Sequence, residues 1–320
     1  MSANADKNLS QRVRARFLVA ADEEHLVVSL REIDSTLPEP IQQISAAFAH
    51  NIRALVAAAT IPFRLASTAV HRERFQQLHI AERIRAQSDE EAGATPEEAK
   101  RRAYQRASDK FKAELTDNVV VSRLADRTCE YLLEVYEQES FAVGAQELLR
   151  QAAVLAWGAF EVLSRDLLRA YFNLQPGAAL ALSNDLDASK HFHIKNISIE
   201  VIADLGFDVS ERMGDLVTSA NDLSKIEAVR AVYKAAAGDS QKLVAALTDR
   251  RLWNLCKTRH LIVHKRGIAD EKFRRDTGSL TALGSPIEIA PGELESYVAA
   301  VVDAASLMLA ELGKRLAAAT

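Results

Sequence analysis

The sequence predicts an all-α protein. Glycine and proline are scarce, at 12 and 7 of 320 residues, while hydrophobic residues make up 48% of the chain and charged residues 26%. This balance is typical of a soluble globular chain rich in helix. Apolar residues also recur at three- and four-residue steps along much of the chain, which is the spacing of an amphipathic helix. We expect a helical N-terminal region over residues 1–140 and a C-terminal bundle of four to five helices over residues 141–320.

The N-terminal region is predicted to contain long helices. Apolar residues at helical spacing between Ile41 and Gln87 predict one long helix, or a pair of helices broken near Pro62. A polar break follows at residues 88–94, and Thr95-Pro96-Glu97-Glu98 then reads as a capping box with proline at the first helical position. Residues 71–114 hold ten Lys or Arg and nine Asp or Glu, which is typical of a solvated or helix-pairing face.

The C-terminal region is predicted to begin with a central core helix over residues 148–172. Its apolar residues repeat at helical steps: Trp157, Phe160, Leu163, Leu167 and Tyr171. A helix is expected through Leu216 to Tyr233, and another is expected from the N-cap Ser240 to Gly267. A short strand at 287–289 and a last helix over 292–317 complete the predicted order.

Charge, cysteine content and hydropathy narrow the class of protein. The net charge is −4, so a nucleic acid would have to be attracted by a local patch. The two cysteines, Cys129 and Cys256, are far apart, which argues against a disulfide scaffold or a structural zinc site. Residues 1–9 are polar and charged, so we expect no secretory signal there, and Asp303 and Glu311 interrupt the last apolar run. We therefore expect a cytoplasmic protein without a membrane partner.

One stretch of the chain is strongly basic. Residues 250–275 hold nine Lys or Arg and two acids, a net charge of +7 within an acidic chain. Such a patch attracts phosphate, and its affinity falls as salt rises. Lys257, Lys265 and Arg266 are the expected RNA-binding cations. The alternative is a solvated helix end whose cations complement the negative end of the helix dipole.

The run Arg259-His260-Leu261-Ile262-Val263-His264 lies within this stretch and carries the strongest chemical signal in the chain. It combines a permanent cation with two side chains that exchange protons near neutral pH. On a straight helix His260 and His264 share a face, whereas Arg259 and His264 are about 140° apart. Arg259 and His264 can then meet at one phosphate only if the helix bends or a second copy contributes, so we expect a homodimer.

Two other interpretations compete for these residues. His260 and His264 are spaced to share a zinc ion, but no carboxylate lies nearby in sequence as a third ligand, and Arg259 and Lys265 repel a cation. We therefore expect no metal and no cofactor. His264 can also be a helix-end residue without a chemical role, because a pattern as short as R-x4-H arises often by chance.

The C-terminal region nevertheless resembles the HEPN superfamily over about residues 141–317. The hallmark of that family is an R-x4–6-H motif with a polar residue after the arginine, matched here by Arg259, His260 and His264. Trp157-Gly158-Ala159-Phe160-Glu161 is similar to the first core helix of these domains. Val263-His264, Gly267-Ile268-Ala269-Asp270 and Phe273 are similar to the segment that follows the motif. This chain departs from the family in having His260 where asparagine is commonest.

The resemblance implies a four-to-five-helix bundle that cleaves RNA without a metal, as a homodimer. Arg259 and His264 would be catalytic and His260 would position them, in a protein of a toxin–antitoxin or phage-defence system. Glu161 is a supporting candidate, because a carboxylate on an apolar helix needs a partner and Arg259 is available, although it can also face water. The alternatives are a non-catalytic module that binds RNA, a nucleotide or a protein, and a purely structural interaction protein.

Overall fold

The computed structural model describes residues 9–19, 27–30, 33, 36–88, 95–191, 198–219, 223–238 and 240–318. These residues form helices and connecting loops, with no strand in the described ranges, so the predicted all-α class is confirmed. Residues 1–8, most of the predicted polar break at 88–94, and His193 lie outside the described residues.

The chain divides into two compact units. The first contains residues 1–21 and 59–147, and the second contains residues 22–58 and 148–320. The division at 147/148 lies close to the boundary expected near residue 140, but residues 22–58 group with the C-terminal part.

The named helices before residue 175 are long. They are α1 (Glu39–Ala59), α2 (Ile61–Ser88), α3 (Pro96–Glu114), α4 (Asn118–Tyr136) and α5 (Glu139–Leu174). The predicted break near Pro62 is confirmed, since α1 ends at Ala59 and α2 begins at Ile61. The predicted capping box is also confirmed: the Thr95 side chain accepts from the Glu98 N–H at 3.3 Å, and Glu98 accepts from the Thr95 N–H at 3.0 Å.

The first unit is built on α2, α3 and α4. Two small residues of α3, Ala103 and Ala107, are fully buried and let α2 approach closely. Beside them the carboxylate of Glu82 is only 2% exposed and pairs with Arg85, Arg106 and Lys110. The hydrogen bond from Lys110, more than the surrounding charges, holds the pKa of Glu82 below its usual value. Charged residues of this region therefore join α2 to α3, which is the helix-pairing alternative given by the sequence.

The second unit continues through shorter helices to a long final one. They are α6 (Ala179–Asn184), α7 (Ala188–His191), α8 (Ile199–Asp204), α9 (Met213–Ser219), α10 (Ile226–Ala237), α11 (Gln241–Leu247), α12 (Arg250–Lys265), α13 (Glu271–Thr277) and α14 (Pro291–Ala317). The predicted core helix is confirmed within α5, where Trp157, Phe160 and Leu167 are fully buried. The hydroxyl of buried Tyr233 donates to the Ser164 carbonyl at 2.6 Å, which ties α10 to α5.

Three predictions for this unit are wrong. The helix expected from Ser240 to Gly267 is two helices, α11 and α12, because Thr248 ends the first and Asp249 caps the start of the second. The helix expected through Leu216 to Tyr233 is two helices, α9 and α10, because Lys225 has extended backbone (φ −108°, ψ 132°) and α10 can begin only after it. No strand forms at 287–289, and an isolated antiparallel bridge joins Ile268 to Pro286, just before the predicted strand. Residues 267–269, between α12 and α13, make backbone hydrogen bonds with residues 284–287, and the Arg150 guanidinium donates to the Ile287 carbonyl at 2.7 and 3.0 Å. That carbonyl is therefore bonded to a side chain and not to a neighbouring strand.

The predicted last helix is confirmed as α14. This helix is long and apolar enough to cross a membrane, but 61% of its most apolar 18-residue segment is buried inside the structure. Most of its apolar residues are buried, and Val301, Met308 and Leu309 are completely so. A helix buried at the core of a bundle has the same length and apolar composition.

Candidate functional site

The helix that carries the candidate residues, α12, has defined ends. Asp249 caps its start by accepting from the Arg251 N–H at 2.7 Å. Its last turn closes through a left-handed Arg266 (φ 55°), and the Gly267 N–H donates to the Leu261 carbonyl at 3.1 Å. Such left-handed endings satisfy the last carbonyls of a helix. The helix therefore presents His264 in its final turn, where the dipole favours positive charge.

The two sides of α12 differ in chemistry. Leu252, Leu255 and Leu261 are buried and fix the helix in the bundle. Cys256 is buried with them, and this burial raises the pKa of its thiol, which disfavours the nucleophilic thiolate. Another part of the helix surface borders a groove of about 650 Å³, whose lining also includes Cys256 and Leu261. The candidate residues that line this groove, called here the basic groove, are Lys257, Arg259, His260, His264 and Lys265.

The guanidinium of Arg259 is paired with the carboxylate of Glu161 on α5. The Arg259 Nη2 to Glu161 Oε2 distance is 3.8 Å, and the two side chains are 25% and 29% exposed. This separation is longer than a hydrogen bond, so the pair is held by charge attraction and leaves guanidinium N–H donors open. The sequence left two alternatives for Glu161, as a partner of Arg259 or as a residue that faces water. In the structure Glu161 lies beside Arg259 and is also partly exposed.

His260 and His264 lie side by side, as their spacing predicts. Their ring centroids are 4.6 Å apart, and neither imidazole is hydrogen-bonded to another of the described residues. Desolvation lowers the pKa of His260, and electrostatic interactions with His264, Lys272, Lys257 and Arg259 lower it further. The lowered pKa favours the neutral imidazole of His260, whose ring can accept a hydrogen bond.

The three cations predicted to bind RNA have different surroundings. Lys257 is engaged within the protein, since its Nζ lies 3.4 Å from Glu227 and 4.0 Å from the ring centroid of Trp253. Lys265 is exposed at the groove, whereas Arg266 is exposed beyond its lining residues. Lys265 is therefore the most available of the three to a ligand in the groove.

Sequence reasoning missed several residues that complete the groove. Lys225 precedes α10, while Asp270 and Lys272 lie at the start of α13. Lys272 belongs to the basic stretch at 250–275, and the positive charge of that stretch was the only indication in the sequence that it lies at the site. Lys225 carried no signal, because only the fold brings the start of α10 beside α12.

The donor set does not form a metal centre. Among the residues that the structure describes, no three His, Cys, Asp or Glu side chains are grouped to hold one ion. The His260–His264 pair has cationic neighbours in Lys265 and Lys272 instead of a third ligand. The groove is thus better suited to an anion.

Comparison of the chain with protein-family models, curated proteins and solved structures finds no match. The chemistry of the basic groove therefore has to be argued from its own residues.

Proposed function

We propose that this chain is a metal-independent endoribonuclease of the HEPN type that works as a homodimer. The observation that carries the proposal is the grouping of Arg259, His260 and His264 along one basic groove, with the two imidazoles 4.6 Å apart. A permanent cation and groups that exchange protons near neutral pH are what cleavage of a phosphodiester through the ribose 2′-hydroxyl requires. The proposed reaction uses no cofactor.

In the proposed reaction the 2′-oxygen attacks the adjacent phosphorus, and the bond from phosphorus to the 5′-oxygen breaks. One His264 accepts the proton of the 2′-hydroxyl, and His264 of the partner subunit protonates the departing 5′-oxygen. Arg259 stabilises the negative charge that develops on the non-bridging phosphate oxygens. The products are a 2′,3′-cyclic phosphate and a 5′-hydroxyl, so the mechanism is specific to RNA.

The surrounding residues have supporting roles in this proposal. His260 and Glu161 position His264 and Arg259, on the basis of the ring contact and the 3.8 Å ion pair. Lys265 and Lys272 attract the RNA phosphates, and Lys257 lies at the edge of the same groove. Binding through these cations is expected to weaken as salt rises.

We place this activity in a toxin or phage-defence setting, with an antitoxin or regulatory protein as partner. The support is the resemblance of the R-x4-H run and its flanks to HEPN domains. Expression of the wild-type chain should then slow cell growth, and Arg259→Ala should relieve the effect at equal protein level. Equal growth inhibition by both chains would contradict this setting.

A binding module without turnover is the second candidate. It is favoured by the Glu161–Arg259 pair, which engages the proposed catalytic cation within the protein. In that case the groove would still bind RNA through its lysines, but no bond would be cleaved.

One assay separates the candidates: RNA is incubated with purified protein in excess EDTA. We expect cleavage by the wild type, and we expect His264→Ala and Arg259→Ala each to lose about 10²–10³-fold in rate. His191→Ala and Arg230→Ala are matched controls at exposed sites outside the groove and should keep full activity. Wild-type RNA binding without cleavage would favour the binding module. If the protein shows no affinity for RNA at low salt, both candidates fail.

A further inference from the structure

A second groove, formed within the second unit, is larger than the basic groove. It has a volume of about 850 Å³ and lies between α1 and α5, with Ser210 and Glu211 before α9 on its border. None of its lining residues belongs to the basic groove. Its size falls within the range of sites that hold small organic ligands, about 300–1,000 Å³.

The walls of this α1–α5 groove are largely apolar. Phe48 of α1 and Leu163 of α5 line its almost completely buried floor, whereas Val162 and Leu174 of α5 line it with side chains that are each 42% exposed. Small side chains at Ala47 and Ala170 leave the volume open. An apolar body can therefore displace water from these walls, which is the main source of affinity for such a ligand.

Arg169 provides a cation on the wall with unused hydrogen-bonding capacity. The closest carboxylate oxygens, on Asp166 and Asp215, lie 3.8 and 3.9 Å from its guanidinium nitrogens, and its side chain is 47% exposed. Both distances exceed the range of an N–H···O hydrogen bond. A planar guanidinium with free donors matches the oxygens of a carboxylate or sulfonate.

The position of Arg169 is fixed although its charged end is open. Gly214 of α9 packs so closely that an added Cβ would lie 1.9 Å from the Arg169 carbonyl oxygen. The Gly214 N–H donates to Asn173 at 2.6 Å, and Asn173 donates to Asp215 at 3.0 Å. The backbone at Arg169 is thus held between two helices, which fixes the point from which its side chain reaches the groove.

The acidic residues of the α1–α5 groove limit the charge of the ligand. Asp166 accepts from Arg165 at 3.2 Å, and Glu211 is exposed at the border. The carboxylates of Asp166 and Glu211 line the same groove as the Arg169 guanidinium, and together they repel a polyanion such as a nucleoside polyphosphate. An anion with a single charge, placed on Arg169, avoids most of that repulsion.

We propose that the α1–α5 groove binds a small amphipathic anion, with its apolar body between α1 and α5 and its one carboxylate or sulfonate group on Arg169. The proposal does not rest on the proposed ribonuclease activity.

The test uses 8-anilinonaphthalene-1-sulfonate, an aromatic molecule with one sulfonate, in a fluorescence titration of the native protein. We expect saturable binding that Arg169→Gln weakens about tenfold, since a charge-assisted contact is lost. Arg165→Gln removes a neighbouring cation outside the groove lining and should leave the affinity unchanged. Uncharged N-phenyl-1-naphthylamine should bind more weakly than the sulfonate, with no effect of Arg169→Gln.

Filling the groove provides the second arm. Ala170→Trp should abolish binding, and Val162→Trp at the 42% exposed rim position provides the same block if the first variant fails to fold. Octanoate should compete with the probe if a carboxylate replaces the sulfonate. The proposal is overturned if the probe binds equally to wild type, Arg169→Gln and a folded tryptophan variant, or if dodecylamine binds the groove in preference to octanoate.

Discussion

The carboxylate of Glu161 lies 3.8 Å from the guanidinium of Arg259, across the interface between α5 and α12. Both side chains are partly exposed, so the attraction between them is screened by solvent, and the pair contributes at most about 1 kcal/mol to folding. Its main physical effect is to restrict where the Arg259 guanidinium can lie.

Glu161→Gln should therefore lower the rate of RNA cleavage about tenfold with little change in stability. The loss should fall on kcat, while KM stays constant or falls because a negative charge leaves the site. Glu161→Asp should recover part of the rate, and Glu295→Gln, at an exposed position on α14, is the matched control. An unchanged kcat in Glu161→Gln would show that the carboxylate does not position Arg259.

Stability should depend on the titration of His260. Its pKa is lowered in the folded protein, so between the ordinary value of about 6.5 and the lower folded value the unfolded chain binds more protons. The free energy of unfolding should thus decrease as pH falls through this window and be constant with respect to this group above it. Urea unfolding from pH 8 to 5 should show a smaller decrease for His260→Gln than for wild type. Parallel curves for the two proteins would contradict the assignment.

Cleavage should require the 2′-hydroxyl and no metal. An RNA with a single 2′-deoxy nucleotide at the cleavage site should be stable there, since the attacking group is gone, and EDTA should leave the rate on unmodified RNA unchanged. Mass spectrometry of the products should show a 2′,3′-cyclic phosphate. Cleavage at the deoxy position would indicate an external water as nucleophile and would exclude the proposed mechanism.

The composite site predicts how mixtures of chains behave. Wild-type chains can be refolded together with His264→Ala chains, so that dimers form from random pairs. If each site needs His264 from both subunits, only dimers of two wild-type chains are active. The rate should then follow the square of the wild-type fraction. His191→Ala chains in the same mixture should cause no loss. A rate proportional to the wild-type fraction would show that one chain suffices.

Two glycines of the second unit should respond in opposite directions to alanine. At Gly214 the new Cβ meets the Arg169 carbonyl oxygen at 1.9 Å, so the backbone must shift, and we expect a loss of about 1–3 kcal/mol in the free energy of unfolding. At Gly158, inside α5, nothing lies within 4 Å of the new Cβ, and alanine should stabilise the helix by about 0.5–1 kcal/mol. Denaturant unfolding of both variants checks the pair, and equal effects would contradict this account of the packing.

Sequence reasoning reached the features that depend on local pattern. The capping box at Thr95, the core helix around Trp157 and the shared face of His260 and His264 follow from spacing within one helix, and all three are confirmed. The break between α9 and α10 was missed because Leu216, Leu223 and Ile226 keep helical spacing across it.

Features that depend on contacts between distant segments were harder to predict from the sequence. The charge on Glu161 suggested a partner, but only tertiary packing brings it to Arg259. Lys225 and the whole α1–α5 groove gave no sequence signal, because their residues come together only when separate helices pack. HEPN membership and ribonuclease activity stay predictions.

Helix α5 carries Glu161 next to Val162 and Leu163, which line the α1–α5 groove. A helix turn moves as a rigid unit, so a displacement of α5 at the groove also displaces the carboxylate opposite Arg259. Any change that an occupant of the groove makes in the affinity for RNA must be matched by an equal change that RNA makes in the affinity for that occupant. Measuring either affinity with and without the other ligand therefore gives the coupling free energy of the two grooves.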